Sequence, residues 1–233
     1  MQLLLGAMDQ EINGYLTHLK DTTHVEWNGW KFHVGTIGGE KAVVAKCGVG
    51  KVLSAMVTQK ILDTFDIHHI LFTGIAGSLN PVYEIGDIVI AKDTIQHDMD
   101  VSGLGFKRGH VPYTDIHIIE CEKKEMPILS KAAEGFGRIH IGRILTGDLF
   151  LTKRNDAGYS YLQDELHGDA VEMEGASVGT VALINKIPFN LVRIVSDRAD
   201  GEAPHNFGAF LNEASDKILS TTFEYLKLRA ADA

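Results

Sequence analysis

Apolar positions along the chain follow two alternating rhythms. Short continuous runs at Leu3 to Leu5, Ile70-Leu71-Phe72, Ile88-Val89-Ile90 and Leu191 to Val195 have the form of strands buried on both faces. Longer stretches between them repeat every three or four residues. Asp9 to Leu19 carries Ile12, Tyr15, Leu16 and Leu19 at helical spacing. Leu53, Val57, Ile61 and Phe65 predict a helix with a core-facing stripe. A last helix is predicted from Phe207 to Leu228, with Phe210, Leu211, Ala214, Ile218 and Tyr225 on one face and Asn206 as its cap.

Trp30 to Val34 and Ala42 to Ala45 read as strands around a Gly38-Gly39 turn, and Gly86-Asp87 opens the strand at Ile88. Ile139 to Leu145 is another strand, ending at Thr146-Gly147-Asp148. The least regular stretch runs from His97 to Thr114, where the glycine spacing suggests a loop that meets a ligand or another subunit. No repeat, low-complexity tract or linker interrupts the alternation. Residues 1–233 are therefore expected to form one α/β domain, with a central mixed sheet flanked by helices.

Composition narrows the function. The chain has 233 residues, 45% apolar and 23% charged, which suits a globular protein with an ample core. Its formal net charge of −9 argues against broad binding to nucleic acid or an anionic membrane, and no apolar run approaches a membrane span. Neither of its two cysteines, Cys47 and Cys121, lies in a paired motif, so both are expected to be buried thiols. The N-terminal run lacks a basic region ahead of it and reads as a first strand, which predicts a cytoplasmic protein.

The richest segment is Val171-Glu172-Met173-Glu174-Gly175-Ala176, a strand ending in two carboxylates before a helix of small residues. The strand ending at Ser196-Asp197 follows about one helix later, the spacing of an α/β unit. Open α/β sheets bind ligands at the carboxyl ends of their strands, where Glu174 and Asp197 both fall. Two acids there can divide the breaking of a glycosidic bond, one protonating the leaving group and the other stabilising a sugar cation or its hydroxyls. Glu11, just past the first strand, shares that rim, although a lone Glu in a first helical turn is also a favourable partner for the helix dipole. Residues two apart in an extended segment face the same side, but a turn at Met173 would separate Glu172 from Glu174, and spacing leaves the choice open.

Other motifs carry weaker chemistry. Gly48-Val49-Gly50-Lys51 lacks the first glycine and the final Ser or Thr of a nucleotide-phosphate loop, so it reads as a turn into the next helix. Thr73-Gly74-Ile75-Ala76-Gly77-Ser78 reads as a glycine-rich loop after a strand, which either brings backbone amides close to a ligand or is a simple turn. His97-Asp98-Met99-Asp100 has no further ligands at metal-binding spacing. No metal or cofactor is expected.

Taken in order, Gly6 to Glu11, Gly48 to Lys51, Thr73 to Gly77, Gly86 to Val89, His97 to Val101, Thr146 to Asp148, Val171 to Glu174 and Ser196-Asp197 cover nearly the whole chain. This set resembles the bacterial 5′-methylthioadenosine/S-adenosylhomocysteine nucleosidases of the nucleoside phosphorylase superfamily. The resemblance implies a nucleoside phosphorylase-like fold and irreversible hydrolysis of the N-glycosidic bond of a 5′-thio-substituted adenosine, with 5′-deoxyadenosine as a further candidate substrate. It implies that Asp197 delivers a proton toward adenine N7 and that Glu11 activates the attacking water. Glu174 and the Met173 backbone would bind the ribose hydroxyls, with Arg193 beside the ribose end and Ser196 next to the acid. Phe150 would stack on adenine, the Leu151 backbone would hold its polar edge, Phe207 would pack near the 5′ group, and the Gly77 region would line the pocket.

The family pattern also implies a homodimer in which one subunit closes the other's 5′ pocket, at positions matched here by Val49, Leu104 and Pro112. Leu104 replaces the usual aromatic, and Ile75 stands where serine or threonine is common. Both departures bear on the preferred 5′ substituent more than on the reaction. A phosphorylase of the same fold would need arginines to hold phosphate, and neither the Gly6–Glu11 turn nor the Gly74–Ser78 run contains one. A hydrolase of another 6-substituted purine nucleoside, or a nucleoside-binding protein without catalysis, are the remaining alternatives.

Overall fold

The first strand of the computed structural model, β1 (Gln2–Gly6), lies inside the sheet, and Leu3, Leu4 and Leu5 are fully buried. The structure describes residues 1–151, 157–199 and 207–231, with the side chains of the last segment from residue 210 onward. Alternation sends Leu3 and Leu5 to one core and Leu4 to another. α2 (Lys51–Thr64) and α5 (Gly175–Asn185) cover the first face through Val57, Ile61, Val178 and Ala182. α1 (Asp9–His18), α3 (Met126–Ala133) and α6 (Phe207–Ala231) cover the second through Ile12, Leu129 and Ile218. Helices on both faces explain why β1 needs no polar side.

The remaining strands are β2 (Lys20–Trp27), β3 (Trp30–Ile37), β4 (Glu40–Lys46), β5 (His69–Ser78), β6 (Ile88–Gln96), β7 (Ile119–Glu120), β8 (Ile139–Thr146), β9 (Ala170–Glu172) and β10 (Phe189–Asp197), and a one-turn α4 (Tyr161–Asp164) precedes β9. The order along the sheet is β10-β6-β8-β9-β5-β1-β4-β3-β2, with β7 on β6 and a further pairing of β10 with β5. That extra pairing closes β5, β9, β8, β6 and β10 into a ring. Parallel pairs such as β1–β4 and β6–β8 mix with antiparallel pairs such as β3–β4 and β10–β6, so the expected mixed α/β architecture is present.

Three local expectations are corrected. Thr73 to Ser78 is not a loop: it continues β5, because it pairs with β10 from Thr73↔Val192 to Gly77↔Asp197 and with β9 at Gly77 and Ser78. β2 was not foreseen, since almost every residue in it is exposed and polar; backbone pairing with β3 at the sheet edge suffices to form it. In α2 the buried face is Ser54, Val57, Thr58 and Ile61, whereas Leu53 faces outward with Val52 and Met56, and the helix stops before Phe65. α6 starts at Phe207 and buries Leu211, Ala214, Ile218 and Tyr225 as its periodicity predicts; Asn206 lies outside the described residues.

Candidate active site

Glu11 reaches the site because only two residues, Ala7 and Met8, separate the end of β1 from the start of α1. Its Oε2 accepts hydrogen bonds from the N–H groups of Ala7 (2.6 Å) and Met8 (3.0 Å), and its Oε1 from Ile75 N–H on β5 (3.2 Å). Only glycine fits at position 74: a Cβ there would collide with Glu11 Oε1 and lie 2.8 Å from Arg193 Nη1. Burial pushes the Glu11 carboxyl up, while Arg193 and the three amides oppose the shift.

The Glu172–Glu174 ambiguity resolves into two different environments. Glu172 ends β9 and turns inward. It accepts the Thr146 hydroxyl, the Glu174 N–H (3.1 Å), the Gly175 N–H (2.8 Å) and Arg193 Nη2 (2.6 Å). Glu174 stands at the residue just before α5 without capping that helix through its side chain, and its Oε1 accepts the Gly50 N–H at 2.9 Å. Burial and the neighbouring Glu172 charge push the Glu174 carboxyl up to about 8. Arg193 joins these acids: its guanidinium is 1% exposed, lies 4.1 Å over the Phe72 ring and stands 3.9 Å from Glu174. Burial disfavours that cation, yet Glu172, Glu11 and Glu174 together hold it above its ordinary value.

β10 delivers the fourth acid through an irregularity. Its register with β5 shifts between Val195 and Asp197, and as a result Ser196 and Asp197 both face the site. Asp197 is 4% exposed; its Oδ2 accepts the Ser196 hydroxyl (2.7 Å) and its Oδ1 the Ala199 N–H (2.8 Å). A Cβ at Gly77 would lie 3.0 Å from Asp197 Oδ1, so the small residue keeps the acid's surroundings open.

Glu11, Val49, Ile75, Gly77, Phe150, Leu151, Met173, Glu174, Ser196 and Asp197 line one cavity of about 150 Å³, together with Glu172, Ala7, Met8, Ala76, Leu149 and Val171. Arg193, expected among the substrate-binding residues, does not line it, because its side chain is buried behind the cavity against Glu172. Leu104 and Pro112 lie outside the cavity, in the 97–114 loop, with Leu104 67% exposed. The Phe207 side chain falls outside the described residues. Sequence reasoning left Glu172 undecided; its burial depends on Arg193 arriving from another strand. No group of three or more potential metal ligands occurs among the described residues. Cys47 and Cys121 are buried free thiols, and burial pushes Cys121 up to about 12.

The cavity thus combines four buried carboxylates, one of them, Glu174, pushed well above the usual carboxylate range, with apolar walls. The described lining contains no lysine or arginine. Such a site suits proton transfer on a small, largely apolar, uncharged molecule.

The family model of the phosphorylase superfamily matches residues 3–227. A 5′-methylthioadenosine/S-adenosylhomocysteine nucleosidase of Colwellia psychrerythraea is 32% identical over 218 residues, covering 91% of this chain and 89% of the relative. An aminodeoxyfutalosine nucleosidase of Campylobacter jejuni is 35% identical over 208 residues, covering 89% and 90%. The crystal structure of a 5′-methylthioadenosine/S-adenosylhomocysteine nucleosidase from Neisseria meningitidis, in complex with methylthio-immucillin-A, superposes with a TM-score of 0.90 at 29% identity, covering 97% of this chain and 98% of that one.

Proposed function

This chain belongs to the phosphorylase superfamily, and from its cavity we propose that it hydrolyses the N-glycosidic bond of 5′-methylthioadenosine and S-adenosylhomocysteine, releasing adenine and the 5′-substituted ribose. One observation carries this reading: Glu11, Glu174 and Asp197 open on a single buried cavity whose described lining holds no cation. A phosphate nucleophile would face four acids there, and the guanidinium nearest them, Arg193, is engaged by Glu172 and set behind the described lining. Water meets no such barrier.

Asp197 protonates the adenine ring as the bond breaks, because a neutral base leaves more readily than its anion. Ser196 and the Ala199 amide hold its carboxyl in place. Glu11 takes the proton of the attacking water, its orientation set by three backbone amides from two elements. Glu174 engages the ribose hydroxyls, and the Glu172 carboxylate behind it adds negative charge on the side of the cation-like sugar. Arg193 is a positioning residue, shared by the carboxylates but set behind them. Phe150 and Leu151 take the base, and Ile75 and Val49 line the cavity.

A second copy of the chain completes the pocket. Val49, Val52, Leu53 and Met56 around α2, and Leu183 and Ile184 on α5, form an exposed apolar face suited to a dimer. That copy would lend Leu104 and Pro112. Among the described residues no helix is long and apolar enough to cross a membrane. A part in methionine salvage belongs to the same proposal, and its support is the likeness to the 5′-methylthioadenosine/S-adenosylhomocysteine nucleosidases.

Adenine and sugar products, followed with and without phosphate, test the reading. Methylthioadenosine, S-adenosylhomocysteine, 5′-deoxyadenosine and aminodeoxyfutalosine should be compared, since similar relatives are named for two of these substrate classes. Adenine and a free sugar without phosphate are expected. A strict phosphate requirement with a sugar 1-phosphate product would move the chain to the phosphorylases, and no adenine from any substrate would sink the proposal.

A further inference from the structure

Two motifs hold charged side chains that the reaction as derived does not use: Gly48 to Lys51, which is not a phosphate loop, and His97 to Asp100, which has no further ligands at metal-binding spacing. The fold brings both to the cavity mouth and ties them to Asp148. Lys51 Nζ meets Asp98 Oδ1 at 2.6 Å, and the other Asp98 oxygen accepts the Asp148 N–H at 2.9 Å. Asp148 in turn accepts the Lys51 N–H at 2.8 Å. The Lys51 carbonyl accepts the Ser177 hydroxyl at 2.6 Å, which fastens the ring to α5. The Lys51 and Asp98 side chains are only 18% and 29% exposed.

Local rules disfavour this arrangement. Lys51 opens α2, where the helix dipole repels a cation, and the preceding Gly50 has no side chain to cap the helix. The free amides are capped instead by carboxylates from elsewhere: Gly50 N–H by Glu174 and Lys51 N–H by Asp148. The start of α2 therefore bridges Glu174 and the residue that leads into Leu149, Phe150 and Leu151. Asp98 then locks the bridge from the 97–114 loop. A sequence that breaks a local rule while satisfying it from the walls of a cavity marks a functional constraint.

We propose that Lys51, Asp98 and Asp148 form a positioning network that sets the base-binding segment after Asp148 relative to Glu174, and so governs nucleoside affinity more than the chemical step. The proposal rests on the nucleosidase reading. The division of effect follows from connectivity, since the amides and hydroxyl that hold Glu11 and Asp197 come from residues outside the network.

The test compares Lys51→Met, Asp98→Asn and the double variant in the full chain. It measures kcat and KM for the substrate turned over by the wild type, adenine affinity by calorimetry, and Tm. Each single variant should raise KM and the adenine Kd by about 10-fold while kcat falls less than about 3-fold, because misplaced contacts remote from the reacting atoms act through positioning. The double variant should be little worse than the more severe single one, as both cut the same link. Lys123→Met, which removes an exposed ammonium paired with Glu120, should change neither constant. Unchanged KM and adenine affinity would overturn the proposal. So would losses that vanish when assays run well below a lowered Tm, which would make the network a folding element only. If the wild type releases no adenine from any nucleoside, the nucleosidase reading fails, while adenine calorimetry on the same variants still decides for or against the network. A wild type that neither cleaves nor binds adenine overturns both.

Discussion

Asp197 and Glu174 sit on one rim yet answer to different physics. Asp197 is held by a hydroxyl and an amide from its own segment. Asp197→Asn keeps the side chain's size, turns one acceptor oxygen into a donor and, on the proposed reading, removes the group that delivers the proton, so kcat should fall by about 100- to 10,000-fold with KM little changed. A nucleoside-binding protein would show altered affinity and no turnover to lose. Glu174 is governed by burial beside another acid. Its carboxyl is pushed from 4.5 to about 8, so between those values the folded protein holds a proton that the unfolded chain has released. Stability therefore falls as pH rises through that window. Glu174→Gln has nothing to ionise, so its Tm should decline less than that of the wild type from about pH 5 to about pH 8. Parallel Tm curves for the two proteins would refute this account. At the same scale, Gly74 is set by space. Gly74→Ala would press on Glu11 and Arg193 together, and a clear drop in both Tm and kcat is expected.

At the scale of elements, the site depends on where strands and helices start, stop and slip. The register shift in β10 lets consecutive residues Ser196 and Asp197 face one cavity, which a regular strand forbids. The sequence run from Leu191 to Asp197 predicts the strand and its acidic end, but a bulge depends on the partner strand and leaves no local mark. The same holds for Thr73 to Ser78, whose glycines suggest a loop when read alone and pair as strand once β9 and β10 are beside them. The start of α2 is the third such junction. Gly50 has φ +91°, and a Cβ there would lie 3.0 Å from Asp148 Oδ1. Gly50→Ala should cost about 1–2 kcal/mol of stability and raise KM, measurable by denaturant unfolding and steady-state kinetics.

For the whole molecule, two cores on either side of one sheet leave an apolar face uncovered. Val52 is 76% exposed and Met56 43%, in a helix whose opposite side is buried. If a second copy covers this face, Val52→Asp with Met56→Lys should shift the protein toward monomer in sedimentation and raise KM, since Leu104 and Pro112 would no longer reach the partner's cavity. A monomeric wild type with full activity would dismiss the shared pocket.

Hydrophobic rhythm alone determined the α/β architecture, the burial of β1 and the cover provided by α6, because apolar periodicity is a local property that burial reads directly. The order of short motifs was enough to point to the family and to Glu11, Glu174 and Asp197. Only the tertiary structure decided which side chains share a space. It turned Glu172 inward onto Arg193, set Arg193 behind the cavity and joined Lys51, Asp98 and Asp148. Those relations span residues far apart in the chain, and the field and contacts around each group come from neighbours that no local pattern specifies.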